Sequence, residues 1–256
     1  MIATEPTSGF RREIRVEIGE CLVAGELIDD FHHFRAEFDV LPGRIVAARG
    51  FAIRQPWATC PGAVSRVTDF IGPASAGSFR AVLASVDRRT HCTHLCDAAA
   101  LAIARWARGA GSAVFSLFVA DPVQGPTTAK IDRDGVSLLE WQVERLRILG
   151  PAAWKGRVLG PGGGFLASLA AESGEDQIEA ALLLQRACTI ALGRGFDLDL
   201  YPHADDVPGA PRGVCHTYAA STSADATRKL GATLDFGPAA DLRQESRDWA
   251  AADERT

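Results

Sequence analysis

The chain has 256 residues, 47% of them hydrophobic, and a formal charge of -5 from 27 Lys and Arg against 32 Asp and Glu. That length can bury a sizeable core, and the scattered, slightly acidic charge offers no footprint for a polyanion, so no nucleic acid is expected as partner. No apolar run approaches the roughly 18–20 residues of a membrane span, and MIATEPTSGFRREIRVEI lacks the apolar segment of a signal peptide. No membrane and a cytoplasmic location are therefore expected, with Cys21, Cys60, Cys92, Cys96, Cys188 and Cys215 as reduced thiols.

In REIRVEI, Ile14, Val16 and Ile18 alternate with charged residues, the period of a strand with one wet face, and CLVAGELIDD continues the sheet. Next, Phe34, Ala36, Phe38 and Val40 alternate with Arg35, Glu37 and Asp39, break at Pro42-Gly43 and resume at Ile45, which predicts a hairpin. By the same parity Asp30 and His32 share the face of Phe34 and Phe38, while His33 joins the charged face.

After Pro56-Trp57 the period lengthens. Val64, Val67, Phe70 and Ile71 fall on one side of a helix that opens at TCPGA and closes at Gly72, with Thr59 or Cys60 as N-cap and Pro61 in the first turn. SFRAVLASV predicts a short helix with Phe79, Val82, Leu83 and Val86 inward. An alanine-rich helix follows from about Cys92 to Arg108 and stops at Gly109. Strands followed by helices argue for α+β rather than alternating βαβ units.

From Ala113 the pattern returns to strands, AVFSLFVADP and then TAKIDRDGVSLLEWQV, folded at the Asp134-Gly135 turn. LGPGGGF lacks the Lys-Ser/Thr of a phosphate loop and the spacing of a dinucleotide fingerprint, and it reads as a linker. A helix from about Glu175 to Leu192 buries Ile178, Ala181, Leu182 and Cys188 and meets stops at Gly193 and Gly195. Beyond Phe196 the text is loop-rich. GVCHTYAAS is the piece expected to order, and RQESRDWAAADERT reads as a frayed tail. The expectation is one α+β domain over 1–200, an antiparallel sheet packed on helices, with a loop-rich segment over 201–256.

Three separated elements carry candidate metal ligands: His32 at a strand start, Cys60 at a strand-to-helix junction and Cys92 at a helix mouth. Junctions at one end of a layered sheet can meet, and a helix N-terminus stabilises a thiolate. Sulfur and imidazole together point to zinc, with iron as the alternative. His94 either supplies a further ligand or caps within the helix; if His91 or His94 fills the fourth position the shell closes, and if water takes that place the site is open to chemistry. Asp97 either orients His94 or favours the first turn. Arg54 either clamps a substrate anion or lies at the strand edge.

The strings RQPWATCPGA, CTHLCDAA and ADPVQGPTTAKIDRDG resemble an uncharacterised bacterial family with a histidine-led strand, a Pro-aromatic-x-x-Cys segment and a Cys-Thr-His-Leu helix start. In order and rhythm DDFHHFRAEFDVLPGRIVAARG and HCTHLCDAA are also similar to iron–sulfur scaffold proteins of the NifU/IscU type. That likeness implies a NifU/IscU-like core at about 26–109, elaborated by extra strands and a C-terminal helix as an added hairpin and helix over 110–195. It puts Asp30 at the first scaffold cysteine, His32 at its aspartate, Cys60 at the second cysteine and His91-Cys92 at the His-Cys pair. With a carboxylate in place of one thiolate, a single zinc suits the set better than a cluster.

The resulting expectation is a metal-dependent hydrolase or lyase acting on a small organic substrate. His32, Cys60, Cys92 and His94 are its expected ligands, and Asp30, Arg54 and His91 its expected catalytic residues. A metal or iron–sulfur carrier without turnover is the alternative, and a homo-oligomer is left open.

Overall fold

The computed structural model describes residues 8–73, 77–122, 125–160, 164–169, 174–237 and 240–253. Among them are nine strands and five α-helices, so the fold is mixed, and the strand pairs described below are antiparallel. The chain divides into two compact units. One comprises Ile14–Val114 with Asp197–Leu234, and the other Met1–Glu13, Phe115–Phe196 and Asp235–Thr256. Strand β1 (Gly9–Ile18) runs through the division in sequence.

In the unit built on Ile14–Val114, β2 (Leu22–Asp29), β3 (His33–Leu41), β4 (Arg44–Arg54) and the short β5 (Gly72–Pro73) lie in the order β5-β4-β3-β2. The predicted hairpin is β3–β4, turning at Pro42-Gly43, where Gly43 takes φ 70. Register pairs Val23 with Phe38, Gly25 with Ala36 and Leu27 with Phe34, so these six share the inward face. The opposite parity carries Glu26, Arg35 and Glu37. That face is largely buried as well: His33 Nε2 meets Glu26 Oε1 at 2.8 Å with both side chains inaccessible, and Arg35 binds Glu17 and Glu37, each at 2.8 Å.

Helix α1 (Phe79–Ala84) buries Phe79, Val82 and Leu83, while Val86 lies beyond its end and is partly exposed. Helix α2 (Thr93–Ala107) lies on β2 and β3. Its run of alanines lets it come unusually close: a Cβ added at Gly25 would stand 2.2 Å from the Ala98 carbonyl oxygen. Leu95, Leu101 and Ile103 then fill the core, each contributing roughly 1.5–3 kcal/mol by burial.

The helix predicted after Trp57 is a 3-10 helix, Cys60–Phe70, with Pro61 in its first turn. Cys60, Ala63, Val67 and Phe70 are its buried residues. Ile71, expected inward, is 43% exposed, because the chain is already extended there (φ -67, ψ 128) and has left the helical phase.

The other unit contains β6 (Ala113–Ala120), β7 (Thr127–Arg133), β8 (Val136–Glu144) and β9 (Arg147–Gly150), ordered β6-β7-β8-β9. Asp134 (φ 52) and Gly135 (φ 79) form the predicted hairpin turn. After the short α3 (Phe165–Ser168), helix α4 (Glu175–Ala191) packs on β7 and β8 and buries Ile178, Ala181, Leu182 and Cys188. Trp141 meets Trp154 and Phe165 at ring separations of 5.3 and 5.8 Å. The supposed frayed tail is instead a helix, α5 (Arg243–Asp253). Asp241 caps its start by accepting from the Arg243 amide at 3.0 Å, and the alanine run supplies helix propensity. Residues 161–163 of the glycine-rich linker and 254–256 of the tail lie outside the described residues.

Candidate metal centre

Strand β2 ends in a tight turn, Asp29 to His32, closed by the Asp29 amide donating to the His32 carbonyl at 2.8 Å. Asp29 also uses its side chain: Oδ1 accepts from the amides of Phe31 and His32, both at 2.8 Å, and lies 3.0 Å from His32 Nδ1. This is an Asx turn whose carboxylate reaches the ring of the residue it caps. The turn is also held from outside. Arg54 at the end of β4 donates to the carbonyls of Asp29 (2.6 Å), Asp30 (3.1 Å) and Ala232 (2.9 Å), and the Leu234 amide donates to the Asp30 carbonyl at 2.7 Å.

The His32 ring, with its residue 8% exposed, stacks on His94 with centroids 3.7 Å apart and an interplanar angle of 23°. Phe34 backs both rings, at 6.0 and 6.4 Å. His94 stands in the first turn of α2, and its Nδ1 lies 3.8 Å from Sγ of Cys92, the N-cap. Asp29, His32 and His94 each present a ligand atom such that all three lie within 4.8 Å of one another, and no other such group of three occurs among the described residues.

Cys60 approaches from the 3-10 helix. The Thr217 hydroxyl donates to its sulfur at 3.3 Å, and Thr59 donates to Thr217 at 3.2 Å. The loop that bears Thr217 is pinned to the mouth of α2 as well, since the His216 amide donates to the His91 carbonyl at 2.9 Å. One loop thus ties both helix mouths together and brings Cys215 into the same neighbourhood. The three sulfurs oppose one another's ionisation: Cys60 and Cys215 each raise the Cys92 thiol, and Cys215 raises Cys60.

Burial also acts on these thiols. It pushes Cys60 up to about 11, against the donation from Thr217, and it pushes Cys92 well above the usual thiol range. Burial thus opposes ionisation of both helix-mouth thiols, against the pull of the helix N-termini.

Of the seven predicted site residues, His32, His94 and Cys92 come together. Cys60 is tied by the Thr217 loop to the mouth of α2, next to Cys92. Asp30 is buried outside the Asp29–His32–His94 group. Arg54 spends its guanidinium on carbonyls of the turn, a clamp on the protein's own backbone. His91 sets Nε2 3.0 Å from Asp69 Oδ2 and packs edge-on against Phe70. Burial pushes its pKa down against the pull of Asp69. Sequence reasoning missed Asp29 and Thr217. The Asp-x-x-His spacing just before a hairpin, the mark of an Asx turn, is the signal that points to Asp29.

Carboxylate, two imidazoles and a thiol form a donor set suited to zinc or iron. Tetrahedral bonds of about 2.0–2.3 Å place neighbouring donors about 3.3–3.8 Å apart. The Cys92–His94 separation already meets that spacing, while the stacked histidines must splay to share one ion. No helix among the described residues is long and apolar enough to cross a membrane. No protein-family model, curated protein or solved structure matches the chain.

Proposed function

We propose that the unit formed by Ile14–Val114 and Asp197–Leu234 binds a zinc-like ion, with iron as the alternative, and acts as a metal-dependent enzyme of hydrolytic or lyase type on a small organic substrate. The observation that carries this reading is the meeting of His32 and His94 from different elements, 3.7 Å apart, with the Cys92 sulfur 3.8 Å from His94. His32, His94 and Cys92 are the ligands in this reading, with Cys60 adjoining. When bound, such an ion supplies a Lewis acid and lowers the pKa of a water at an open position. The protein's own part is to exclude bulk water and hold the donors. Arg54 fixes the turn that bears His32, and His91, tied to Asp69 and to the His216 amide, fixes the mouth of α2. The same reading takes residues 26–109 as a NifU/IscU-like core, supported by the order of hairpin, Cys-led 3-10 helix and Cys-led α-helix.

A second reading, a carrier of a soft metal or of an iron–sulfur unit without turnover, is favoured by the loop that carries Cys215 and ties Cys60 to the mouth of α2, where Cys92 stands. Elemental analysis of the full-length protein from zinc- and iron-replete cultures, followed by melting with and without chelator, tests both. The enzyme reading expects about one ion per chain, lost in His94→Ala and Cys92→Ser, and a fold that survives chelation. Sulfide accompanying iron favours the carrier. Metal-free protein whose variants melt like the parent overturns both.

A further inference from the structure

We infer that Asp29 is a positioning residue of this site: its carboxylate fixes His32 in the tautomer protonated at Nδ1 and so presents Nε2 to the ion. The inference rests on the metal-binding reading above, and it assigns Asp29 a different part from that of a direct ligand through Oδ1.

The argument begins with what surrounds one oxygen. Oδ1 receives the Phe31 and His32 amides, each at 2.8 Å, and faces His32 Nδ1 at 3.0 Å. An amide only donates, so Oδ1 is an acceptor, and an acceptor at 3.0 Å from Nδ1 requires the proton to lie on that nitrogen; otherwise two lone pairs would face each other. In the neutral imidazole that a metal binds, the single N–H is then at Nδ1, and Nε2 carries the electron pair, the atom a metal requires.

Burial makes this choice firm. Asp29 is completely inaccessible and His32 is 8% exposed, so bulk water does not compete for the contact. The turn cannot relax outward, because Arg54 grips the carbonyls of Asp29 and Asp30 and the Leu234 amide grips Asp30. With three donors gathered on it, Oδ1 is committed to the turn and to the His32 ring. A carboxylate behind a ligating histidine also strengthens the imidazole as a donor, an effect that typically changes metal affinity by about 10–100-fold. The position of Asp29 in the group of three follows from this role: it stands beside the ligating rings because it orients one of them.

Asp29→Asn tests the idea. It keeps an acceptor oxygen for the two amides but removes the charge behind His32. The metal-free full-length protein, with 15N-labelled histidine, reports the His32 tautomer directly by NMR; the wild type is expected to show Nδ1 protonated, and the variant a mixture. Titration with zinc, and with cobalt as a coloured stand-in, is expected to show about 10–100-fold weaker binding in Asp29→Asn with an altered cobalt spectrum, whereas His32→Ala loses more. A wild-type His32 protonated at Nε2, or zinc binding by Asp29→Asn equal to the wild type, overturns the inference. Should the variant fail to fold, the wild-type tautomer alone decides. Wild-type protein that takes up no ion sinks the functional reading, while its tautomer spectrum still decides what Asp29 does to His32.

Discussion

Gly25→Ala separates two physical effects of opposite sign. Gly25 lies inside β2 and, unlike the turn glycines, does not require positive φ. On strand propensity alone, alanine should stabilise by about 0.5–1 kcal/mol. The structure predicts the reverse. The new Cβ would stand 2.2 Å from the Ala98 carbonyl oxygen and 2.6 Å from its carbon. Ordinary carbon–oxygen contact needs about 3.3 Å, so β2 and α2 must part by about 1 Å. Both neighbours are backbone and cannot rotate away.

Overpacking of this kind costs about 1–3 kcal/mol, which for a protein of this size lowers Tm by about 2–12 °C. The same displacement moves the mouth of α2, with Cys92 and His94, away from the end of β2, with Asp29 and His32. Ligand distances tolerate only about 0.2 Å, so metal affinity should fall even where the variant remains folded. Urea unfolding of the metal-free chain and a zinc titration measure the two effects separately. A Gly25→Ala protein as stable as the parent, binding zinc equally well, would refute the close approach of strand and helix on which the site depends.

The thiols should differ sharply in reactivity. Cys21 is exposed, whereas burial pushes Cys188 up to about 12; at pH 8 an alkylating reagent is expected to label Cys21 within minutes and Cys188 only on unfolding. Mass spectrometry that finds the two labelled at similar rates in the native protein would contradict that burial. In the same unit, Arg194 grips both oxygens of Asp121 at 2.9 Å and holds its carboxyl below the ordinary value of 3.8. Because the folded pKa is depressed, this pair stabilises above the ordinary carboxylate range, and the contribution fades as pH falls through the folded value. Asp121 is about one-third exposed, so solvent screening limits the effect to under about 1 kcal/mol. Asp121→Asn should therefore unfold slightly more easily than the parent at pH 7 and equally at pH 2.5 in urea titrations; an equal difference at both pH values would show that the ion pair is not its source.

Local pattern was enough for much of the architecture. The alternation around Phe34 and Phe38, the Pro42-Gly43 and Asp134-Gly135 turns and the alanine-rich helix stopped at Gly109 are all properties of short stretches, set by side-chain period and by which residues accept positive φ. The choice between an α- and a 3-10 helix at Cys60–Phe70 is not such a property, because both bury similar residues over two turns. The C-terminal helix also escaped the local reading. Its polar sequence has no apolar stripe, and the Arg243 amide donates to Asp241 at its start.

By itself, then, the sequence determined most of the strands and helices, though not α5 or the 3-10 form of Cys60–Phe70, and marked His32, Cys60, Cys92 and His94 as ligands and Asp30, Arg54 and His91 as their neighbours. Tertiary structure decided which of them meet. A ligand set depends on distances between segments far apart in the chain, and here those are set by glycine and alanine contact between β2 and α2 and by one loop binding two helix mouths. It also raised the thiols above their ordinary range, since desolvation is a property of the packed surroundings that no short stretch encodes.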